Sequence, residues 1–597
     1  MTVLEDRSDS QSRTIRLAVA VYHSSSRMVA PDPVIFLAGG PGDSAVEWAA
    51  RTYSSVILPI IQERDFIVFD PRGTGLSEPA LDCDEIKNAY VEELIHPASE
   101  EGRIQIYTDA LVACRDRLEE EGADLAAYTT GDNAADVVDI LAALEYSQAN
   151  LYGVSYGTRL AQFVMRDYPD KVRSVVLDSV VPLEVNMIND GSTASNNALQ
   201  ALFDGCAADS GCEKAYPRLK ASFSNLLQQL KAKPLTVDVS LPDVGLTYQA
   251  VVDDNTFASV VLWTMRYSGF VPMIPQAITR AKAGDTAALS YALGLPASSF
   301  SDVALGVYIS MTCHDQIYGT TPEEMAKAMA RYAFPQALGF TWISDNPQIL
   351  FEVCKLWGTR KPNSGENDPV VSDIPALILA GKYDPITPPA FAQQLANHLR
   401  HSFVFVFPDQ SHCPTTGDEQ CPMAVVSEFL HNPEVKPKAS CLEEMTPLRF
   451  VVPYTGKPAI KLAAATNTKM RVAGNIPSDW KNLGLGFYSR GNTFLDVTQI
   501  GVQGDKASAS EWIVWLKKEF NGRTGFDREP IKAGEHKANQ MVWTLYKTAS
   551  RGRPVDLAFT EQGTWTLMVI MMSFSDERDA LYQAVFLPVV DSTTLIK

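Results

Sequence analysis

The chain has 597 residues, a formal net charge of −20, 46% hydrophobic and 20% charged residues. A phosphate backbone is held by clustered Lys and Arg, so the acidic balance argues against nucleic acid as a partner, and the near-average composition argues against disorder, collagen and coiled coil. No apolar run approaches the ~18–20 residues of a membrane span, and the length exceeds one ordinary core, which implies two to four structural units of about 100–200 residues.

In chain order, TIRLAVAVYHS (14–24) alternates in the manner of a strand, and PVIFLAGGPG (33–42) is a short apolar run ending in a glycine-rich turn. DFIVFDPRGTGLSEP (65–79) is a second buried strand with a tight loop, in which Asp70, Arg72 and Gly73 are expected to brace neighbouring turns. DNAADVVDILAALEY (132–146) carries Val137, Ile140, Leu141 and Leu144 on one helical face and precedes the strand ANLYGVS (149–155). A helical pattern, YGTRLAQFVMRDYP, and the strand VRSVVLDSVVP follow. Strands alternating with helices imply a parallel sheet covered on both faces.

Residues 183–365 interrupt that rhythm with amphipathic helices such as AYPRLKASFSNLLQQLKAKP and PEEMAKAMARYAF, read as a helical lid. The strand–helix rhythm returns in IPALILAGKYDPITPPAFAQQLANHLR and SFVFVFPDQSH. Beyond Cys441 the texture changes to alternating strands around the helix ASEWIVWLKKEF, with strands QMVWTLYKTA, VDLAFTEQ and TWTLMVIMMSF and a terminal helix near ERDALYQAVFLPVV. The expected division is a core in two parts, 1–182 and 366–445, a cap at 183–365 and an α+β accessory domain at 446–597. Residues 441–597 hold 19 basic and 16 acidic side chains, so the negative charge lies entirely in the first 440 residues.

The motif Gly-x-Ser-x-Gly around Ser155 is short enough to arise by chance, but here a strand precedes it and a helix follows. A nucleophile elbow needs that setting, because the turn is too sharp for side chains at the glycine positions. A serine hydroxyl also needs a histidine to take its proton and an acid to hold that histidine. Asp384 lies just past the strand ALILAG and His412 just past SFVFVF, the order and placement an α/β-hydrolase topology demands. Asp178, after an earlier strand, is the competing acid. Backbone N–H groups of Gly40, in the GGPG loop, and Tyr156, after the nucleophile, are the candidate oxyanion donors. A reaction that uses His412 as a base should lose rate on the acid side. No metal or organic cofactor is expected, because serine, histidine and acid carry acyl transfer by themselves, and no CxxC or Cys/His zinc spacing occurs.

The nine cysteines have local spacings that read as disulfide staples, which imply an oxidising compartment. One must stay unpaired within the monomer, and Cys413 beside His412 is the candidate. The chain opens MTVLEDRSDS without an apolar h-region, so the expected secreted or cell-envelope location requires that a signal peptide has been removed.

With GGPG, FDPRGTGLSEP, YTTGDNAADVVDILAAL, LYGVSYGTRLAQ, RSVVLDSVVP, CHD, ILAGKYDPITPP and the cysteines at 421 and 441, the chain resembles the α/β-hydrolase group of proline iminopeptidases and tripeptidyl aminopeptidases across most of residues 13–445. Tyr156 resembles the tripeptidyl branch. The resemblance implies an α/β-hydrolase fold with a helical cap, here followed by a small α+β domain. It implies a serine exopeptidase acting on free N-termini, with Asp315 of the cap as the candidate ligand for the substrate ammonium or else a cap salt-bridge partner. It also implies disulfides Cys83–Cys114, Cys206–Cys212, Cys313–Cys354 and Cys421–Cys441. Three positions depart from the pattern: Ala38 stands where His is usual, Ser411 where Gly is usual, and Asp315 where Glu is frequent. The main expectation is therefore an aminopeptidase with a peptide substrate. The alternative is a carboxylesterase or lactonase acting on a small neutral acyl substrate through the same residues, and a non-catalytic binding protein on this fold is a third reading.

Overall fold

The computed structural model describes residues 1–96, 98–241, 246–286, 289, 292–293, 303–331, 347–417, 420–490, 498–519, 526–550 and 553–596. Seven strands form the central sheet: β1 Val19–Tyr22, β2 Val34–Leu37, β3 Phe66–Phe69, β4 Ala149–Val154, β5 Val172–Asp178, β6 Ala376–Gly381 and β7 Ser402–Phe407. Their order is β7-β6-β5-β4-β2-β3-β1, with β1 antiparallel to β3 and every other neighbour parallel. Every residue of β2, β3, β4 and β6 is buried, as expected of parallel strands covered on both faces. Because β2 lies between β3 and β4, the chain reverses direction across the sheet there. The crevice beyond the carboxyl ends of β2 and β4 is the place where such sheets bind ligands.

Helix α1 (Thr130–Ala143) buries Val137, Ile140 and Leu141, with Leu144 half-buried at its end, and α2 (Tyr156–Asp167) starts directly behind Ser155. The loop after β3 braces its surroundings as read. Asp70 accepts from Ser44 Oγ, Val46 N and Leu76 N, while the fully buried Arg72 pairs with Asp136 and donates to the carbonyls of Glu5 and Ala127. Gly73, at φ +79°, has room for no Cβ, which would meet Val307 Cγ2 at 2.6 Å.

Between β5 and β6 lies the cap: α3 Met187–Ala208, α4 Leu219–Ala232, α5 Asp254–Met265, α6 Ile274–Lys282, α7 Leu305–Asp315, α8 Pro322–Met329 and α9 Pro347–Trp357. Residues 332–334 of the stretch PEEMAKAMARYAF lie outside the described residues. The cap is not wholly helical, since Leu235–Leu241 pairs antiparallel with Leu246–Val252. Val237, Val239, Ala250 and Val252 of this hairpin are buried in the cap's own apolar cluster with Phe223 and Phe257, which explains why the alternating segment extends rather than coils.

The C-terminal region forms a second seven-stranded sheet: β8 Lys481–Gly484, β9 Phe487–Ser489, β10 Gln499–Asp505, β11 Ile531–Ala538, β12 Met541–Ser550, β13 Arg553–Gln562 and β14 Trp565–Met572, in the order β8-β9-β10-β14-β13-β12-β11. All its neighbours are antiparallel. Helical segments over 578–592 bury Val585, Phe586, Val589 and Val590 against one face with Trp543, and α10 (Ala509–Glu519) packs Leu516 on the other. This region grips the cap: Tyr216 Oη donates to Val451 O (2.9 Å), Val451 N donates to Pro272 O (2.9 Å), and Arg280 of α6 pairs with Asp576.

Cysteines 83 and 114, 206 and 212, 313 and 354, and 421 and 441 are joined as disulfides, and Cys413 is a thiol. Among the described residues no helix is long and apolar enough to cross a membrane.

Candidate active site

Ser155 sits between β4 and α2 at φ +52°, ψ −121°, a backbone conformation that a side-chain-bearing residue adopts only when its surroundings enforce it. The enforcement comes from close packing. A Cβ on Gly153 would meet Gly157 O at 2.4 Å, and one on Gly157 would meet Leu37 O at 2.0 Å, so both glycines of the motif are required by contact between strand and helix. Ser155 N donates to Asp178 O at 2.9 Å and fixes the turn to the end of β5.

Three sequence-distant residues meet here. His412 Nε2 lies 3.0 Å from Ser155 Oγ and His412 Nδ1 lies 2.8 Å from Asp384 Oδ2. Asp384 is fully buried and accepts from Thr387 Oγ1 (2.6 Å) on Oδ2 and from Ile386 N (2.8 Å) and Thr387 N (2.9 Å) on Oδ1. Burial raises its carboxyl, but the His412 charge and the hydrogen bonds from His412 and Thr387 outweigh that and hold it below the ordinary carboxylate value. The competing acid, Asp178, does not bond to His412. Its Oδ2 accepts from Thr415 N (3.0 Å) and from the Thr415 hydroxyl, and burial pushes its carboxyl up to about 7 against those bonds.

Gly40 and Tyr156 line the same cavity as Ser155. Gly40 has φ +102°, open to glycine alone, and Tyr156 N belongs to the first turn of α2, where N–H groups have no intrahelical acceptor. The Tyr156 side chain is turned into the protein: its hydroxyl lies 2.9 Å from Thr130 Oγ1, which donates to Asp315 Oδ2 (2.7 Å). With the threonine proton so used, Tyr156 Oη is the donor in that pair.

Asp315 ends α7 and lines the cavity, but its carboxylate is engaged on all sides. Oδ2 faces Arg159 Nε at 3.2 Å and Thr130, and Oδ1 faces His314 Nδ1 at 2.9 Å. Burial raises the Asp315 carboxyl, and Arg159 and His314 more than reverse it; the same contact lifts His314 above its ordinary value despite burial. Of the two roles expected for Asp315, the geometry is that of a cap salt-bridge partner.

The cavity encloses about 360 Å³, the size that accommodates a small organic substrate. Its walls are mostly apolar, with Met187, Ile188, Trp263, Val303, Met311 and Leu350 among them. Among the described residues no group of three or more His, Cys, Asp or Glu is arranged to hold a metal ion. Sequence reasoning missed Thr387, Thr130, Arg159 and Arg266. Thr387 alone left a usable signal, three residues past Asp384 on the same tight loop.

Ser411 joins the histidine loop to the cap. Its hydroxyl is within reach of Met265 O and 3.1 Å from Tyr383 O, its N donates to Ser268 Oγ (2.8 Å), and the next N–H, from His412, donates to Arg266 O (3.2 Å). The residue is fully buried.

Residues 32–415 match the model of the alpha/beta hydrolase fold family. The chain is 24% identical to the serine protease Hip1 of Mycobacterium tuberculosis over 417 residues, which cover 66% of this chain and 77% of that one. A tripeptidyl aminopeptidase of Streptomyces coelicolor is 34% identical over 188 residues, covering 30% of this chain and 34% of its own. Carboxylesterase B of Mycobacterium tuberculosis is 33% identical over 185 residues, covering 30% and 35%. With the sheet order, the serine turn and a family match spanning both parts of the core, the chain belongs to the alpha/beta hydrolase fold family and is a hydrolase of peptide or ester bonds.

Proposed function

We propose that the chain is a serine hydrolase that works through an acyl-enzyme and takes small carboxylic esters or lactones with a neutral acyl group. Ser155 Oγ attacks the carbonyl carbon while His412 Nε2 accepts its proton, and Asp384 holds the imidazole and balances the charge it gains. The N–H groups of Gly40 and Tyr156 stabilise the tetrahedral oxyanion. His412 then protonates the leaving group, and water, activated by the same histidine, releases the acid.

The observation that carries the neutral-acyl reading is the state of Asp315. Among the described residues lining the cavity it is the one acidic side chain the cap contributes, and it already faces Arg159, His314 and Thr130. An ammonium group would have to compete with a buried guanidinium for it, whereas an apolar acyl chain would pack on Met187, Ile188, Val303, Met311 and Leu350 without breaking that pair. The aminopeptidase reading is the second one, favoured by the tripeptidyl aminopeptidase match and by Tyr156 after the nucleophile. Under that reading the same residues cleave peptides from free N-termini.

The test measures kcat/KM for a short-chain p-nitrophenyl ester, a free-amine tripeptide anilide and its N-acetylated twin, with Ser155→Ala as control. Ester turnover with both anilides inert is the expected result. Anilide cleavage that acetylation abolishes would replace it with the aminopeptidase reading, and turnover retained in Ser155→Ala would overturn the nucleophile.

A further inference from the structure

The charged side chains lining the catalytic cavity are Asp43, Arg51, Arg159, Arg266 and Asp315, three cations against two anions. Arg159 is held by Asp315, and Arg51 pairs with Glu47 at 3.4 Å. Arg266, just past the end of α5, forms no ion pair and no side-chain hydrogen bond with any described residue. Its guanidinium lies over the indole of the buried Trp263, 4.3 Å from the ring centroid. Stacking of this kind orients the guanidinium plane at little entropic cost and leaves its N–H edges for a partner. A cation without an ion-pair partner among the described residues is conspicuous in the substrate cavity of a chain whose net charge is −20.

Its position relative to the reacting groups is fixed by the backbone, because His412 N donates to Arg266 O at 3.2 Å. The histidine that protonates the leaving group therefore neighbours Arg266, while the oxyanion donors belong to the separate loops after β2 and β4. Resting on the acyl-enzyme reading above, we propose that Arg266 is a specificity-determining residue that binds a carboxylate on the leaving-group side of the scissile bond. The preferred substrates are then acyl compounds whose leaving group is a hydroxy acid, in an ester, or a carboxylate-bearing amine, in an amide. A guanidinium pairs such a carboxylate through two parallel N–H···O bonds, which gives orientation as well as attraction.

The experiment compares matched pairs that differ only in that charge. Butyryl glycolate is set against butyryl glycolamide for the ester source, and alanylglycine against alanylglycinamide for the peptide source. The readout is the ratio of kcat/KM within each pair for the wild type and for Arg266→Met, Arg266→Lys and Arg266→Glu. A ratio measured on one preparation is independent of how much of a variant folds. The wild type should favour the carboxylate member of whichever pair it cleaves, the ratio should fall about tenfold in Arg266→Met, recover in part in Arg266→Lys and invert in Arg266→Glu. In the wild type the ratio should also shrink as ionic strength rises, a measurement that needs no variant. A ratio unchanged in Arg266→Met and insensitive to salt would overturn the inference and leave the acyl-enzyme reading standing. Absence of Ser155-dependent turnover of all four compounds would overturn the inference, and absence of it on the p-nitrophenyl ester and tripeptide anilide as well would overturn both.

Discussion

At the scale of single residues, Ser411 ties the His412 loop to the cap. The Ser411 hydroxyl reaches back to Met265 O at the end of α5, so a buried carbonyl of the cap depends on it for a donor. Leaving such a carbonyl unpaired costs about 1–3 kcal/mol. Ser411→Ala should therefore lower the thermal midpoint and reduce kcat, as the histidine loop loses one of its ties to the cap. Ser411→Gly should match it if the hydroxyl is what matters, and thermal unfolding with steady-state kinetics on both variants checks this. Asp178 makes a different prediction. Its carboxyl keeps its proton in the folded chain up to about 7, whereas an unfolded Asp loses it near pH 4. Folding thus takes up a proton across that window, and this residue's contribution makes stability fall as pH rises through it. Asp178→Asn cannot titrate and should flatten that fall, which denaturant midpoints measured from pH 4 to 8 would reveal.

At the scale of elements, the residues proposed to carry the chemistry were legible in the sequence because each follows a short apolar strand run: Ser155 after β4, Asp384 after β6 and His412 after β7. The glycines at 153 and 157 mark the turn because a Cβ there would collide with Gly157 O and Leu37 O. The Leu235–Leu241 hairpin strand escaped notice although its residues alternate, because neighbouring amphipathic helices dominate the texture of the cap. The Asp315–Arg159 pair was illegible, since its partners lie 156 residues apart and nothing local in either helix marks the other. The cap wall that carries Asp315 depends on the Cys313–Cys354 disulfide between α7 and α9, which closes a loop with a sequence separation of 41. Cross-links over loops of this size stabilise by about 2–4 kcal/mol, mostly through the unfolded chain. Replacing both cysteines by Ser should lower the thermal midpoint more than the same change at Cys206–Cys212, whose separation is 6, and should make the folded protein's midpoint less sensitive to reductant.

At the scale of the whole molecule, the C-terminal region is tied to the cap. Its visible ties run from Val451 and Asp576 to Tyr216, Pro272 and Arg280, all of them residues of the cap. The cap is also tied to the His412 loop through Ser411 and to the core helix α2 through Asp315 and Arg159. Force applied at the C-terminal sheet would thus reach the cap as well as the core segment ending at Cys441, from which the region extends. Anchoring that sheet to a surface would therefore load the cap that roofs the cavity, although among the described residues none of its side chains lines that cavity.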